Sequence, residues 1–436
     1  MGSYIASATT NIELICEEIV KSEKLPSAES LRLAVVAYRD HPPQDVSYVT
    51  KTLNFTSAVP EVKEFLKNLY ASGGGDGPEA VTAAMKECMF LEWREMATKM
   101  VVLVADAPPH GIGEYGDGFS NGSPEGSDPL QLARDMAKLG IALFVVACEP
   151  ALSQYTHATD FFRALSQLSS GVMLPLTNAA LLARVIVGSA LEHLDMERLI
   201  QEVGAAVAMK IHGNQESVDD VAKELHERLM LRNESTKQLV IEDIYRQSSE
   251  ADHNVSIWMN ASDLASAKPH LKKVSGSRFT DKYLEARYGT RTEYRAAPTV
   301  PPRSTSSERR SSPVASPGGP SSSPGSPSRK VAANFASFSA TPMSFETTPV
   351  APAPVQPSRS IFGAIPAPPA PTSTGTGSGL GSAFGGIRDS SALSNEMSMD
   401  DEDEEEGEGV SMKRGAISLE QAKRITMQSA WRGLRA

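Results

Sequence analysis

Three acidic residues are spaced so that a folded sheet would bring them to one edge. Asp76 and Glu79 lie in the run Gly73-Gly74-Gly75-Asp76-Gly77-Pro78-Glu79, and Asp106 follows the apolar run Met100-Val101-Val102-Leu103-Val104-Ala105. Hard divalent cations take oxygen ligands, and Mg²⁺ keeps several waters while using only a few carboxylates. The trio is therefore a chemically sensible site for Mg²⁺ (or Ca²⁺). The plainer reading makes Asp76 a turn residue, Glu79 a first-turn carboxylate favoured by the helix dipole, and Asp106 a strand-end cap. Spacing alone leaves both open. The glycine run is not read as a phosphate loop, because no Lys-Ser or Lys-Thr follows it and its acid would repel a phosphate. His41 and His110 flank the region but have no Cys or second His at zinc-ligand spacing, so they are expected to be solvated loop histidines. No Ser-His-Asp or Cys-His constellation can be assembled, and the chain is not expected to be an enzyme.

Positioning such a trio requires strands that end at one edge. Leu31 to Tyr38 reads as a buried strand, Val46 to Phe55 as its more alternating neighbour, and Lys99 to Ala105 and Ile141 to Cys148 as continuous apolar strands. Helical spacing is predicted from about Ile5 to Lys21, with Ile12, Ile15, Cys16 and Ile19 on one face, and again over Glu61 to Leu69, Ala80 to Phe90, Pro129 to Leu139, Asp160 to Leu168 and Asn178 to Leu194. This alternation implies an α/β fold with a doubly wound, Rossmann-like parallel sheet, whose ligands bind at the carboxyl ends of its strands.

The 436-residue chain changes character along its length. Residues 1–195 read as the α/β domain, 196–289 as a small helical extension, 290–412 as a disordered Ser/Pro-rich linker ending in an acidic run, and 413–436 as a basic helix. The linker buries too little apolar surface to offset a backbone entropy cost of roughly 1–2 kcal/mol per residue. The net charge of −11 argues against a nucleic-acid partner. No apolar run reaches the roughly 20 residues of a membrane span, and no leader pattern opens the chain. Cys16, Cys88 and Cys148, an odd number within regular elements, suit buried reduced thiols. These features together lead us to expect an intracellular, cytoplasmic protein.

Three segments, Leu33 to His41, Gly73 to Ala80 and Val102 to His110, resemble the von Willebrand factor A family. The resemblance is nearest to the intracellular A domains related to alpha-kinase-linked proteins and to those of integrin beta subunits, and it covers roughly Met1 to Leu194. It implies a metal-ion-dependent adhesion site in which Mg²⁺ is held by an Asp and two hydroxyls after the first strand, an acid or Thr from a second loop and an Asp from a third. Glu79 resembles the second-loop ligand, Asp76 a neighbouring acidic ligand, and Asp106 the third-loop Asp. The chain departs from the family at its start, where the first strand and its Asp-x-Thr/Ser-Gly-Ser motif are missing. That strand would lie between Leu31–Tyr38 and Lys99–Ala105. Each buried main-chain group left unpaired costs about 1–3 kcal/mol, against a total stability of about 5–15 kcal/mol. The expectation is therefore a weakened domain, from either a shortened gene reading or a variant that has lost the strand.

At the other end, Ser418-Leu419-Glu420-Gln421 has the form of a capping box opening a helix to about Arg432. Met427, Gln428, Trp431 and Arg432 resemble the first two-thirds of an IQ motif, which implies a calmodulin-like protein as partner. The alternative is a helix docked on its own domain. The sequence thus reads as a protein-interaction module of adhesion or scaffold type, with a regulated tail. Its rivals are a component or relative of an alpha-kinase protein, and a tail-driven scaffold whose A domain is inactive.

Overall fold

A computed structural model of the protein describes residues 1–72, 74–289 and 409–434. The expected disorder of 290–412 falls almost wholly outside the described residues. Helix α1 (Gly2–Lys21) leads to an antiparallel pair, β1 (Leu33–Tyr38) and β2 (Thr50–Thr56), then α2 (Val59–Lys67) and α3 (Val81–Phe90). Strands β3 (Lys99–Ala105), β4 (Ile141–Cys148) and β5 (Met173–Leu176) form a parallel sheet in the order β3-β4-β5, with α4 (Pro129–Lys138) and α5 (Ala158–Leu168) as crossovers. Helices α6 (Leu182–Ala208) and α7 (Val218–Leu231), strand β6 (Ser235–Ile241), and helices α8 (Ser249–Asn260), α9 (Leu264–Ala267) and α10 (Asp281–Tyr288) follow. Strand β7 (Val410–Ala416) and α11 (Leu419–Gly433) come last. Mixed α/β architecture with a Rossmann-like parallel sheet is what the alternating pattern implied.

The side-chain alternation of β3 and β4 builds two apolar layers, since successive residues of a strand face opposite ways. Leu103, Ala105, Leu143, Val145 and Ala147 face α3, α4, α5 and α8, where Leu130, Phe161, Phe162 and Trp258 are fully buried. Ala142, Phe144, Val146 and Cys148 face α1 and α6 through Tyr4, Leu182 and Val185. Full burial of each Leu, Val or Phe contributes about 1.5–3 kcal/mol, so β4, buried along its whole length, anchors the domain. Local signals start the helices. Asp128 accepts from Leu130 N at 2.9 Å ahead of Pro129 in α4, and Ser418 and Gln421 exchange the two bonds of a capping box in α11.

Strand β1 pairs with β2, and β3 pairs with β4; among the described residues no strand joins β1 to β3. The residues of β1 remain partly exposed although all six are apolar, in contrast to those of β4. Tyr38 reaches towards β3, donating its hydroxyl to Val104 O at 3.2 Å. This is the place where the resemblance put the missing strand.

Two expectations need correction. The boundary at 195/196 falls inside α6, which runs unbroken from Leu182 to Ala208. The stretch 196–289 is not wholly helical either, because it contains β6, whose partner β7 begins at Val410, ahead of the basic helix expected from 413. Register from Ser235↔Ala416 to Ile241↔Val410 closes this pair against α6. Gly188 allows the approach, since a Cβ there would meet Leu239 at 2.6 Å and the Met412 sulfur at 2.7 Å. The three cysteines are free thiols; Cys16 and Cys148 are buried and Cys88 is half-buried. Among the described residues no helix is long and apolar enough to cross a membrane.

Candidate carboxylate centre

The loops that leave β1 and β3 and the loop that opens α3 meet at one edge of the molecule. Asp40, two residues beyond β1, is fully buried, and its Oδ1 accepts from His41 N at 2.6 Å and lies 2.7 Å from His110 Nε2. The other imidazole nitrogen, Nδ1, lies 2.8 Å from Asp117 Oδ1. Asp117 is fixed in turn, accepting from Gly111 N at 2.7 Å and Phe119 N at 2.8 Å. Burial works against a charge on His110, but the bonds to Asp117 and Asp40 outweigh it and raise the imidazole pKa. Burial likewise opposes ionisation of Asp117, whose carboxyl is nevertheless held low by His110 and the two backbone donors. The His110 imidazole is thus clasped between the carboxyl groups of Asp40 and Asp117.

Asp76 joins this group from the glycine loop. One of its oxygens, Oδ2, accepts from Gly118 N at 2.5 Å. Burial is the main cause of the rise in its pKa, with Asp40 adding to it. Burial, then Asp40 and Asp106, push Glu79 up to about 7. Gly74, at φ +82°, lets the loop fold back on Glu79, where a Cβ would stand 2.9 Å from Oε1. Asp106 lies at the same edge, about a third exposed, and takes the α-amino group of Met1 on Oδ2 at 2.9 Å.

Two oxygens of this cluster are buried with no hydrogen-bond partner among the described residues, Asp40 Oδ2 and Asp76 Oδ1. Asp40, Asp76 and His110 each offer one ligand atom within 4.8 Å of one another. Coordination by His110 would cost it one of its two carboxylate bonds. The two orphaned carboxylate oxygens fit a hard divalent cation better, because oxygen is its preferred donor, although the cation would compete with the proton that burial and Asp40 favour on Asp76.

Of the residues singled out in the sequence, Asp76 thus joins Asp40 and His110, while Glu79 and Asp106 stand beside them. The histidine expectation is overturned: His41 is 4% and His110 1% exposed, not solvated. Asp40, His110 and Asp117 were not recognised as site residues. The available signal for Asp40 was the same one used for Asp106, an acid just after an apolar strand.

The IQ-like helix lies against α4, α6 and α7 of its own chain. Gln428 is buried and donates to Ala137 O at 3.0 Å, and Arg432 clasps Glu197 with both terminal nitrogens at 2.7 Å. Met427 and Trp431 are half-buried. Docking on its own domain is therefore the state seen here.

No protein-family model matches the chain. It is 31% identical over 151 residues to the alpha-protein kinase vwkA of Dictyostelium discoideum, a match covering 32% of this chain and 23% of the kinase. It is 25% identical over 178 residues to a putative ariadne-like RING finger protein of Acanthamoeba polyphaga mimivirus, covering 39% of this chain and 16% of that protein. The chain thus spans less than a quarter of the length of either relative.

Proposed function

We propose that this chain is a cytoplasmic protein-interaction module of the von Willebrand factor A kind, which binds an acidic group of a partner through a divalent cation. The observation that carries the reading is the pair of buried, unpartnered oxygens Asp40 Oδ2 and Asp76 Oδ1, with Glu79 and Asp106 at the same edge. In this reading Asp40 and Asp76 hold Mg²⁺ (or Ca²⁺), Glu79 and Asp106 supply charge beside it, and the His110–Asp117 pair keeps Asp40 from turning. The cation, when bound, supplies a fixed positive charge for a partner carboxylate. The test is calorimetric titration of the full chain with Mg²⁺ and with Ca²⁺. Saturable binding that is lost in Asp76→Asn and kept in Asp135→Asn, a surface control, supports the reading; heat unchanged by Asp76→Asn overturns it.

The similarity to vwkA favours a second reading, in which the chain is a relative or component of an alpha-kinase protein. Phosphate transfer from ATP to a basic protein substrate, measured against an ATP-free control, separates the two.

A further inference from the structure

The loop that carries Asp40 also carries Gln44, in a turn closed by Gln44 N donating to His41 O at 3.0 Å. Its amide oxygen, Oε1, is buried with no hydrogen-bond partner among the described residues, as are Asp40 Oδ2 and Asp76 Oδ1. Two glycines make room for this side chain. A Cβ on Gly75 would meet Gln44 Cγ at 3.0 Å, and one on Gly118 would meet Gln44 Nε2 at 2.5 Å and Asp76 Oδ2 at 2.7 Å. The Gln44 amide and the Asp76 carboxylate thus converge on one point beside Gly118. Neither of these glycines has a left-handed φ, unlike Gly74 and Gly77 of the same loop. At Gly75 and Gly118 it is therefore the space taken by Gln44 and Asp76, not the backbone conformation, that excludes a side chain.

Unmet acceptors are rare in a native interior, and these three oxygens are closed off from solvent. A water would have to stand about 2.7–3.0 Å from each, whereas Ca²⁺ stands closer, at about 2.3–2.6 Å. The choice between cations follows from how each treats its waters. Mg²⁺ demands a near-ideal octahedron and dehydrates reluctantly, so it keeps several waters; Ca²⁺ tolerates irregular geometry and accepts amide carbonyls beside carboxylates. Two carboxylate oxygens and one neutral amide oxygen, all shielded from water, match the second pattern. Asp40 and Asp76 are already held in place, by His110 Nε2 at 2.7 Å and by Gly118 N at 2.5 Å. A half-turn of the Gln44 amide exchanges its oxygen and nitrogen, so the oxygen turns to Asp76 without movement of the chain.

We propose that Gln44 is a third ligand of the carboxylate centre and makes Ca²⁺ its preferred cation. The proposal rests on the reading that Asp40 and Asp76 hold a divalent cation, and it adds the identity of the ion and the residue that selects it. Mg²⁺, keeping its waters, meets the carboxylates from the solvent side and gains little from the amide. The remaining positions around Ca²⁺ fall to waters and to the partner's acidic group.

The experiment is calorimetric titration of the full chain, at neutral pH, with Ca²⁺ alone and with Mg²⁺ alone. Ca²⁺ should bind about tenfold or more tightly than Mg²⁺. Gln44→Met keeps an unbranched side chain of similar length between the two glycines and removes the oxygen. It should weaken Ca²⁺ about tenfold and Mg²⁺ by less than about twofold, which brings the two cations near parity. Gln44→Glu is nearly isosteric and puts a charged oxygen at the same place, so it should tighten Ca²⁺ about threefold or more. Should Gln44→Met fail to fold, the parent's preference and Gln44→Glu still decide the matter. Equal affinities for the two cations in the parent overturn the proposal, as does a Gln44→Met variant that lowers both affinities alike or neither. If binding in those cases still depends on Asp76, the centre holds a cation without Gln44 and only this inference falls. If neither cation binds, or Asp76→Asn leaves binding unchanged, the underlying reading falls and this one with it.

Discussion

Arg432→Met tests whether the C-terminal helix is an integral part of the domain. The substitution keeps most of the apolar stem and removes the guanidinium from Glu197, which is 4% exposed and loses two bonds of 2.7 Å. Breaking one side of a buried ion pair costs about 3–5 kcal/mol, because the remaining charge is stranded. Glu197→Gln with Arg432→Met leaves a neutral site and should cost no more than about 1–2 kcal/mol. The double variant should therefore be about 1–4 kcal/mol more stable than Arg432→Met alone, and a cycle completed with Glu197→Gln reads the coupling, against a domain stability of about 5–15 kcal/mol. Burial opposes ionisation of Glu197, yet Arg432 holds its pKa below the ordinary carboxylate value. A carboxyl with a depressed folded pKa contributes stability above its unfolded pKa and loses it as pH falls through the folded one. The difference between parent and Arg432→Met should accordingly be full at pH 7 and shrink below about pH 4.5. Urea unfolding followed by tryptophan fluorescence measures it, with Trp431 reporting from α11 itself. A single-variant loss under about 1 kcal/mol together with zero coupling would refute the reasoning.

Two further outcomes follow from the carboxylate centre. His110→Phe strands buried Asp40 and should cost about 3 kcal/mol near pH 6; because the folded pKa of His110 is raised, its contribution is complete below about pH 6.5 and is lost as pH rises through the folded value. Urea midpoints at pH 6 and pH 9 check this, and a destabilisation that does not change with pH contradicts it. Glu79, held at about 7, must give up a proton to accept a nearby cation, so Mg²⁺ affinity should rise from pH 5.5 to 7 and level off above. Titrations near pH 6 in two buffers of different ionisation heat should reveal proton release, and equal heats in both would argue against it.

Local chemistry was legible where it acts over a few residues. The spans Lys99–Ala105 and Ile141–Cys148 coincide with β3 and β4 because a strand buried on both faces has to be continuously apolar. The capping box at Ser418 announced α11 because its two bonds close within four residues.

Pairings between distant residues depended on the tertiary structure. Strands β6 and β7 are about 170 residues apart, and neither pattern names the other. His110 looked like a loop histidine because the carboxylates that enclose it come from Asp40, 70 residues earlier, and from a loop folded back through Asp117. The sequence by itself determined which segments had to be strand, helix or cap, since those choices follow from side-chain periodicity and backbone valence. Only the tertiary structure decided which acids meet and which of their oxygens lack a partner among the described residues, because burial and pairing depend on neighbours in space rather than along the chain.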